Sequence, residues 1–224
     1  MTQTATRTTT RGDERVLGCG AHMRLPSSAH RSRDWRIDEF TRDFRIEDVW
    51  DLPVTFGPDD FPRLVQLIAA LDLSNSSSAP VRALVAIRWK LGELFRWDAT
   101  EPDVGAGVPT LRDRLPTDLR DGSSGPTIQA LPFSSLYLTD DEWAAEAANG
   151  TMHGVIHVGR IPNDAGDFGA QMAIVVKPNG PLGTAYMAAI KPFRYLIVYP
   201  WLLHEIGRQW RTESLSTSEH DAAT

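Results

Sequence analysis

Hydrophobic and polar positions alternate most cleanly in two stretches, Glu142 to Val158 and Phe168 to Lys177. A period of two puts successive side chains on opposite faces of a strand. Asn149-Gly150 divides the first stretch, and that dipeptide suits a two-residue type I′ turn because both central positions need φ > 0. Counting outwards from such a turn sets Glu146 opposite His153, Ala144 opposite Val155, Trp143 opposite Ile156 and Glu142 opposite His157. One hairpin face then carries Trp143, Ala145, Ala147, Met152, Ile156 and Val158 and reads as core. The other carries two carboxylate–imidazole pairs, Glu146/His153 and Glu142/His157, with Ala144 and Val155 between them. Phe133 to Leu138 predicts a short preceding strand. Phe168, Ala170, Met172, Ile174 and Val176 share a face of the following one, giving an antiparallel meander.

Helical spacing dominates elsewhere. Asp59-Asp60-Phe61-Pro62 is a helix start, with Leu64, Leu67, Ile68 and Leu71 on one face. Pro80 opens a second helix to about Phe95, striped by Leu84, Ile87, Leu91, Leu94 and Phe95. The last and longest helix runs from about Leu182 to Arg211, with Leu182, Tyr186, Ala189, Ile190, Phe193, Ile197, Trp201 and His204 as its stripe. Pro192 and Pro200 lie inside it, so a kink or break is expected at each. Trp35 to Trp50 reads as extended and ended by Leu52-Pro53. Asp98 to Pro132, rich in Gly, Pro and Asp, reads as surface wrapping rather than a flap, with Leu111 to Arg120 a solvated short helix. The pattern predicts an α+β fold, an antiparallel sheet with a long kinked C-terminal helix packed on it. Residues 34–211 form a single domain, 1–33 a disordered or extended arm, and 212–224 a disordered tail.

Composition narrows the function classes. The chain has 224 residues, 42% hydrophobic, within the globular range. Its formal net charge is -6, with 23 Lys+Arg against 29 Asp+Glu, which argues against a nucleic-acid partner. The one cysteine, Cys19, permits no internal disulfide and no thiolate cage, and fits a cytoplasmic location. No secretory signal opens the sequence. Charges and prolines break the most apolar stretch, Ala185 to Leu203, so no span across a membrane is expected.

The two Glu–His pairs are the sharpest chemistry. A carboxylate bonded to one imidazole nitrogen fixes the tautomer and raises basicity at the other, as a general base for enolisation, cyclisation or dehydration requires. Trp143 and Ile156 on the reverse face would be buried first, so the pattern favours a solvated Glu–His face. His153 and His157 are four apart on a strand, roughly 13 Å at about 3.3 Å per residue, so they do not share a metal and none is expected. His204 reads as a core or boundary histidine, and Lys191 and Arg194 as a solvated face. No nucleophile elbow, dinucleotide fingerprint or phosphate loop is present, Gly105-Ala106-Gly107 included, and no cofactor is expected.

Gly183 to Ile206 (GTAYMAAIKPFRYLIVYPWLLHEI), with NGTMHGVIHVGRIP from Asn149, GAQMAIVVKPNGPLG from Gly169 and DFRIEDVWDLP from Asp43, resembles a bacterial family of unknown function. Members of that family are free-standing or fused behind short-chain-dehydrogenase-like domains, and it assigns no reaction. Its strands-then-long-helix layout looks like the helix-grip superfamily of polyketide cyclases and START lipid carriers. That likeness implies a cavity between the terminal helix and the sheet, lined by Tyr186, Phe193, Arg194, Tyr195, Tyr137, Trp143 and Met172. An apolar small molecule would fit it. The protein is then a cyclase, isomerase or dehydratase with a Glu–His base. The alternatives are a non-catalytic carrier or sensor, and an interaction module that dimerises through the terminal helix.

Overall fold

The computed structural model describes residues 24–71, 109–128, 131–149, 152–163 and 166–222. Six antiparallel strands form one sheet: β1 (Arg24–Leu25), β2 (Arg45–Phe56), β3 (Ser134–Leu138), β4 (Glu142–Ala148), β5 (Met152–Pro162) and β6 (Phe168–Pro178), in the order β1-β2-β6-β5-β4-β3. The chain from Arg24 already belongs to the fold, since β1 pairs with β2 and α1 (Ser27–Arg31) follows it. Helix α2 (Phe61–Ala70) begins where the acidic start and Pro62 predict, and Leu64, Leu67, Ile68 and Leu71 are all buried. The helix expected over Pro80 to Phe95 and Gly105-Ala106-Gly107 lie outside the described residues.

The meander forms with a corrected register. Ala148 faces His153, Glu146 faces Val155, Ala144 faces His157 and Trp143 faces Val158. Asn149 is therefore not a turn centre but a strand end. Its N–H donates to the Met152 carbonyl at 2.9 Å, its Oδ1 accepts from the Met152 N–H at 3.0 Å, and its carbonyl accepts from Asn179 at 2.7 Å. The partner of each residue moves by two, an even number, so every side chain keeps its expected face.

Strand β2 runs through Leu52-Pro53 to Phe56 instead of ending there. Its ladder with β6 is irregular between Leu52 and Phe56, which suits a proline without an N–H to donate. Trp35 to Trp50 is likewise not extended throughout, because Arg36–Glu39 forms a 3₁₀ turn before β2.

The C-terminal helix packs on one sheet face and stays helical from Gly180 to Ala222. Helix α4 (Gly180–Phe193) passes into a π turn (Arg194–Val198) and then α5 (Tyr199–Ala222). Pro192 sits at the end of α4 and Pro200 at the start of α5, so the expected breaks collapse into one wide turn. In that turn the Tyr199 N–H reaches the Arg194 carbonyl five residues back. The buried stripe reads Met187, then Tyr199, Leu203, Ile206 and Trp210, rather than Ala189, Phe193, Ile197, Trp201 and His204. Phe193 is 49% exposed and His204 is exposed. Buried Asp48, on β2, secures this turn by accepting from Arg194, Tyr195 and the Tyr199 hydroxyl. Trp50, Leu52, Trp143, Val158, Met172 and the α2 side chains complete this core.

The opposite sheet face is also covered. Trp35, Ile37 and Phe40 come from one side, and Leu111, Leu115 and Leu119 from the other, packing on Tyr137, Ala144, Val155, Ala173 and Val175. Leu111–Arg114 is a 3₁₀ turn and Thr117–Asp121 the short helix α3. This segment was expected to be solvated. Its leucines at spacing four are instead buried, while the charges between them face out. Trp35 lies so close to Gly159 that a Cβ there would meet three ring atoms at 2.5–2.9 Å. Gly159→Ala should therefore cost about 1–3 kcal/mol by overpacking, seen as a lower denaturant midpoint. An unchanged midpoint would mean that the indole does not occupy that slot.

Candidate functional site

Each strand residue of the Glu–His face has a fixed place. Across β6, β5 and β4, Gln171, Gly159 and Glu142 form one row, Ala173, His157 and Ala144 the next, and Val175, Val155 and Glu146 the third. The carboxylates reach their histidines diagonally. His157 Nε2 lies 3.1 Å from Glu142 Oε2, and His153 Nε2 lies 2.7 Å from Glu146 Oε2. The pairs foreseen from the sequence thus form, though not directly across the ladder.

Their environment is the opposite of the solvated one expected. Glu142, Glu146, His153 and His157 are all buried. The physical reason is the amphipathic cover on this face, whose short stripes are spread over two segments far apart in sequence. Each carboxylate also receives the start of one cover segment. Glu142 accepts from the Arg36 N–H at 2.8 Å and the Ile37 N–H at 3.4 Å, at the head of the 36–39 turn. Glu146 accepts from the Leu111 N–H at 2.9 Å and the Thr110 hydroxyl, at the head of the 111–114 turn. The first N–H groups of a helical turn have no internal partner, so a buried anion there satisfies both sides.

Burial alone would push both carboxyls up. For Glu142 the hydrogen bonds from His157, the Arg36 N–H and the Tyr137 hydroxyl outweigh it and hold the group below the usual range. For Glu146 the same result follows from His153, Thr110 and Leu111. Tyr137 donates to Glu142 at 2.9 Å, and its own hydroxyl is pushed well up by burial and by that carboxylate.

The two dyads differ at the far nitrogen. His157 Nδ1 lies 3.2 Å from His30 Nε2, so both nitrogens of His157 are engaged. A carboxylate only accepts, so His157 Nε2 donates to Glu142. The two rings share the proton between them, and His30 Nδ1 on the far side is buried and without a partner among the described residues. His153 Nδ1, in contrast, bonds to nothing among the described residues and is not among the fully enclosed orphan atoms. Phe44 lies edge-on to that ring at 5.1 Å. Nearby, Asp43 takes Lys177 and Arg114, each at 2.8 Å, which hold it down to about 2.

Of the residues expected to line a ligand cavity, Trp143, Met172 and Tyr195 share the core under the terminal helix, and the other described ones do not join them there. Tyr137 lies on the reverse face. Phe193 is exposed, Arg194 is bound to Asp48, Tyr195 is half-buried on it, and the Tyr186 side chain lies outside the described set. A cavity of about 300 Å³ instead opens beside β1 and β2, lined by Arg24, Pro26, Ser27, Glu47 and Asp48 among others. His30 had no sequence signal, because it sits in a short stretch without period and meets His157 only through the fold. Among the described residues no His/Cys/Asp/Glu group could hold a metal, and no helix is long and apolar enough to cross a membrane.

Fold and site together define an α+β domain carrying two buried carboxylate–imidazole dyads behind a two-part cover. The chain belongs to the family described as protein of unknown function DUF2867, whose model matches residues 40–201. No curated protein and no solved structure matches it.

His30 makes acid stability testable. Burial, with the neighbouring His157, pushes it down from 6.5 to about 3. A depressed histidine supports the fold fully above the unfolded value and loses that support as pH falls from about 6.5 towards 3, by up to about 1.4 kcal/mol per unit. The carboxylates add their loss only below their unfolded range near 4.5. His30→Gln should flatten the stability–pH curve between about 6.5 and 4.5, measured by urea unfolding. A slope equal to the parent's would contradict this assignment.

Proposed function

We propose that the chain binds an apolar small molecule and moves a proton on it, with His153 as the base and Glu146 as the group that orients and stabilises it. The observation that carries this reading is the contrast between the dyads: His157 has both nitrogens engaged, whereas His153 has one fixed and one unbonded among the described residues. His153 Nδ1 would take a proton from carbon next to a carbonyl. The C–H electron pair becomes the enolate, and the imidazolium is stabilised by the Glu146 carboxylate before it returns the proton. Such enolisation underlies isomerisation, cyclisation and dehydration, and needs only groups that this chain supplies. Glu142, His157 and His30 then act as fixed support.

The layout of a long C-terminal helix on an antiparallel sheet supports a helix-grip-like relationship. The dyads, however, lie on the sheet face away from that helix, so the ligand is placed at the His153 end of the covered face, beside Phe44. A single cysteine is consistent with a cytoplasmic setting.

A second reading, a carrier without catalysis, is favoured by the way both carboxylates are saturated by cover segments. Deuterium uptake into 2-tetralone, followed by proton NMR in D₂O, separates the two. The parent protein should accelerate exchange over buffer, and His153→Gln should lose about 10²-fold or more of that acceleration, with His157→Gln losing less. Binding of the ketone without faster exchange, or exchange unaltered in His153→Gln, would remove the catalytic reading.

A further inference from the structure

A second feature of the same face is independent of what His153 does. Among the described residues, three of the buried side-chain atoms without a hydrogen-bond partner belong to residues around Gly159: Trp35 Nε1, His30 Nδ1 and Gln171 Oε1. The register explains the grouping. Gly159 faces Gln171 on one side and Glu142 on the other, and residues opposite each other share a face. His157 lies in the adjoining row and holds His30. Because Gly159 has no side chain, the row has a slot, and the benzo edge of Trp35 fills it.

The indole is a good fit by shape and a poor one by polarity. Its ring lies 5.1 Å from His157 and 5.9 Å from His30, so the slot has aromatic walls. Yet among the described residues Trp35 leaves its own N–H unpaired and offers nothing to Gln171 Oε1, an acceptor without a partner. Each buried orphan carries a desolvation penalty. An occupant with the same flat apolar body and an outward O–H would satisfy the Gln171 acceptor, and would let the Trp35 N–H reach water. Glu142 at the slot's edge is ionised and already saturated, so it disfavours an anionic occupant.

We propose that Trp35 is a displaceable plug over a site for a neutral hydroxylated aromatic molecule, which seats its ring against Gly159 and donates a hydrogen bond to Gln171 Oε1. The backbone N–H groups of Arg36 and Ile37 stay on Glu142 while the neighbouring side chain turns out. The site differs from the His153 dyad in residues and in ligand.

The full chain carrying 5-fluorotryptophan at its seven tryptophans tests this by fluorine NMR, with Trp35→Phe identifying the resonance. The probes are 2-naphthol, naphthalene and 2-naphthoate. Saturating 2-naphthol should move the Trp35 signal to a solvent-exposed position. Naphthalene should bind about tenfold or more weakly, as loss of one hydrogen bond implies, and 2-naphthoate should leave the signal in place. Gln171→Leu, which swaps an orphan acceptor for an apolar group and so should fold, should reduce the preference for naphthol over naphthalene to about threefold or less. A Trp35 signal unmoved by 2-naphthol would overturn the proposal, as would equal binding of naphthol and naphthalene or an unchanged preference in Gln171→Leu. None of these readouts involves turnover, so a protein inert towards 2-tetralone would leave this result standing, and the reverse also holds.

Discussion

Two carboxylates that cannot be left alone in a protein interior organise this molecule. Glu142 and Glu146 stand four residues apart on one strand, hence on one face, and both are buried. A buried charge without partners costs several kcal/mol. Each is answered in the same way, by an imidazole reaching diagonally from β5 and by the head of a 3₁₀ turn descending from above. The repeat makes each carboxylate a clip that holds one cover segment to the sheet. The apolar stripes of those segments, Trp35, Ile37 and Phe40, then Leu111, Leu115 and Leu119, can bury only because their polar beginnings are satisfied.

The other sheet face uses a third buried carboxylate to the same end. Asp48 gathers Arg194, Tyr195 and Tyr199, and the π turn brings Arg194 to the same side as Tyr199 five residues on. That turn lets the chain carry Pro192 and Pro200 without leaving the helix. Both faces of the sheet are thus closed by elements anchored at an acidic residue. This explains how a strand such as β4, with two glutamates in seven residues, can be an inner strand of the sheet. The cost is polar atoms that the cover does not satisfy, and these cluster around Gly159.

Period and turn chemistry carried much of the architecture. The meander, α2 and the terminal helix follow from apolar spacing, and both Glu–His pairs follow from parity alone. The hairpin bend was misplaced because Asn149 resembles a turn centre, while its side chain in fact caps Met152; the resulting shift of two left the faces intact. Burial of those faces was not legible. It depends on two segments that meet β4 from 106 and 35 residues away in sequence, and a local pattern does not report such contacts. His30 was missed for the same reason, since its partner lies 127 residues distant. The phase of the terminal helix was off already before the π turn, where Ala189 and Phe193 are exposed and Met187 is buried, and a period of 3.6 was then carried through a turn that is wider than that.

Amide hydrogen exchange on Glu142→Gln and Glu146→Gln tests the paired clips most directly, because each clip has its own reporter N–H. The account predicts that Glu142→Gln speeds exchange at Arg36 and Ile37 by about tenfold or more while Leu111 keeps its protection, and that Glu146→Gln does the reverse, since each change weakens one charge-assisted bond. Equal loss at both segments in either variant, or protection unchanged at the segment served, would contradict it.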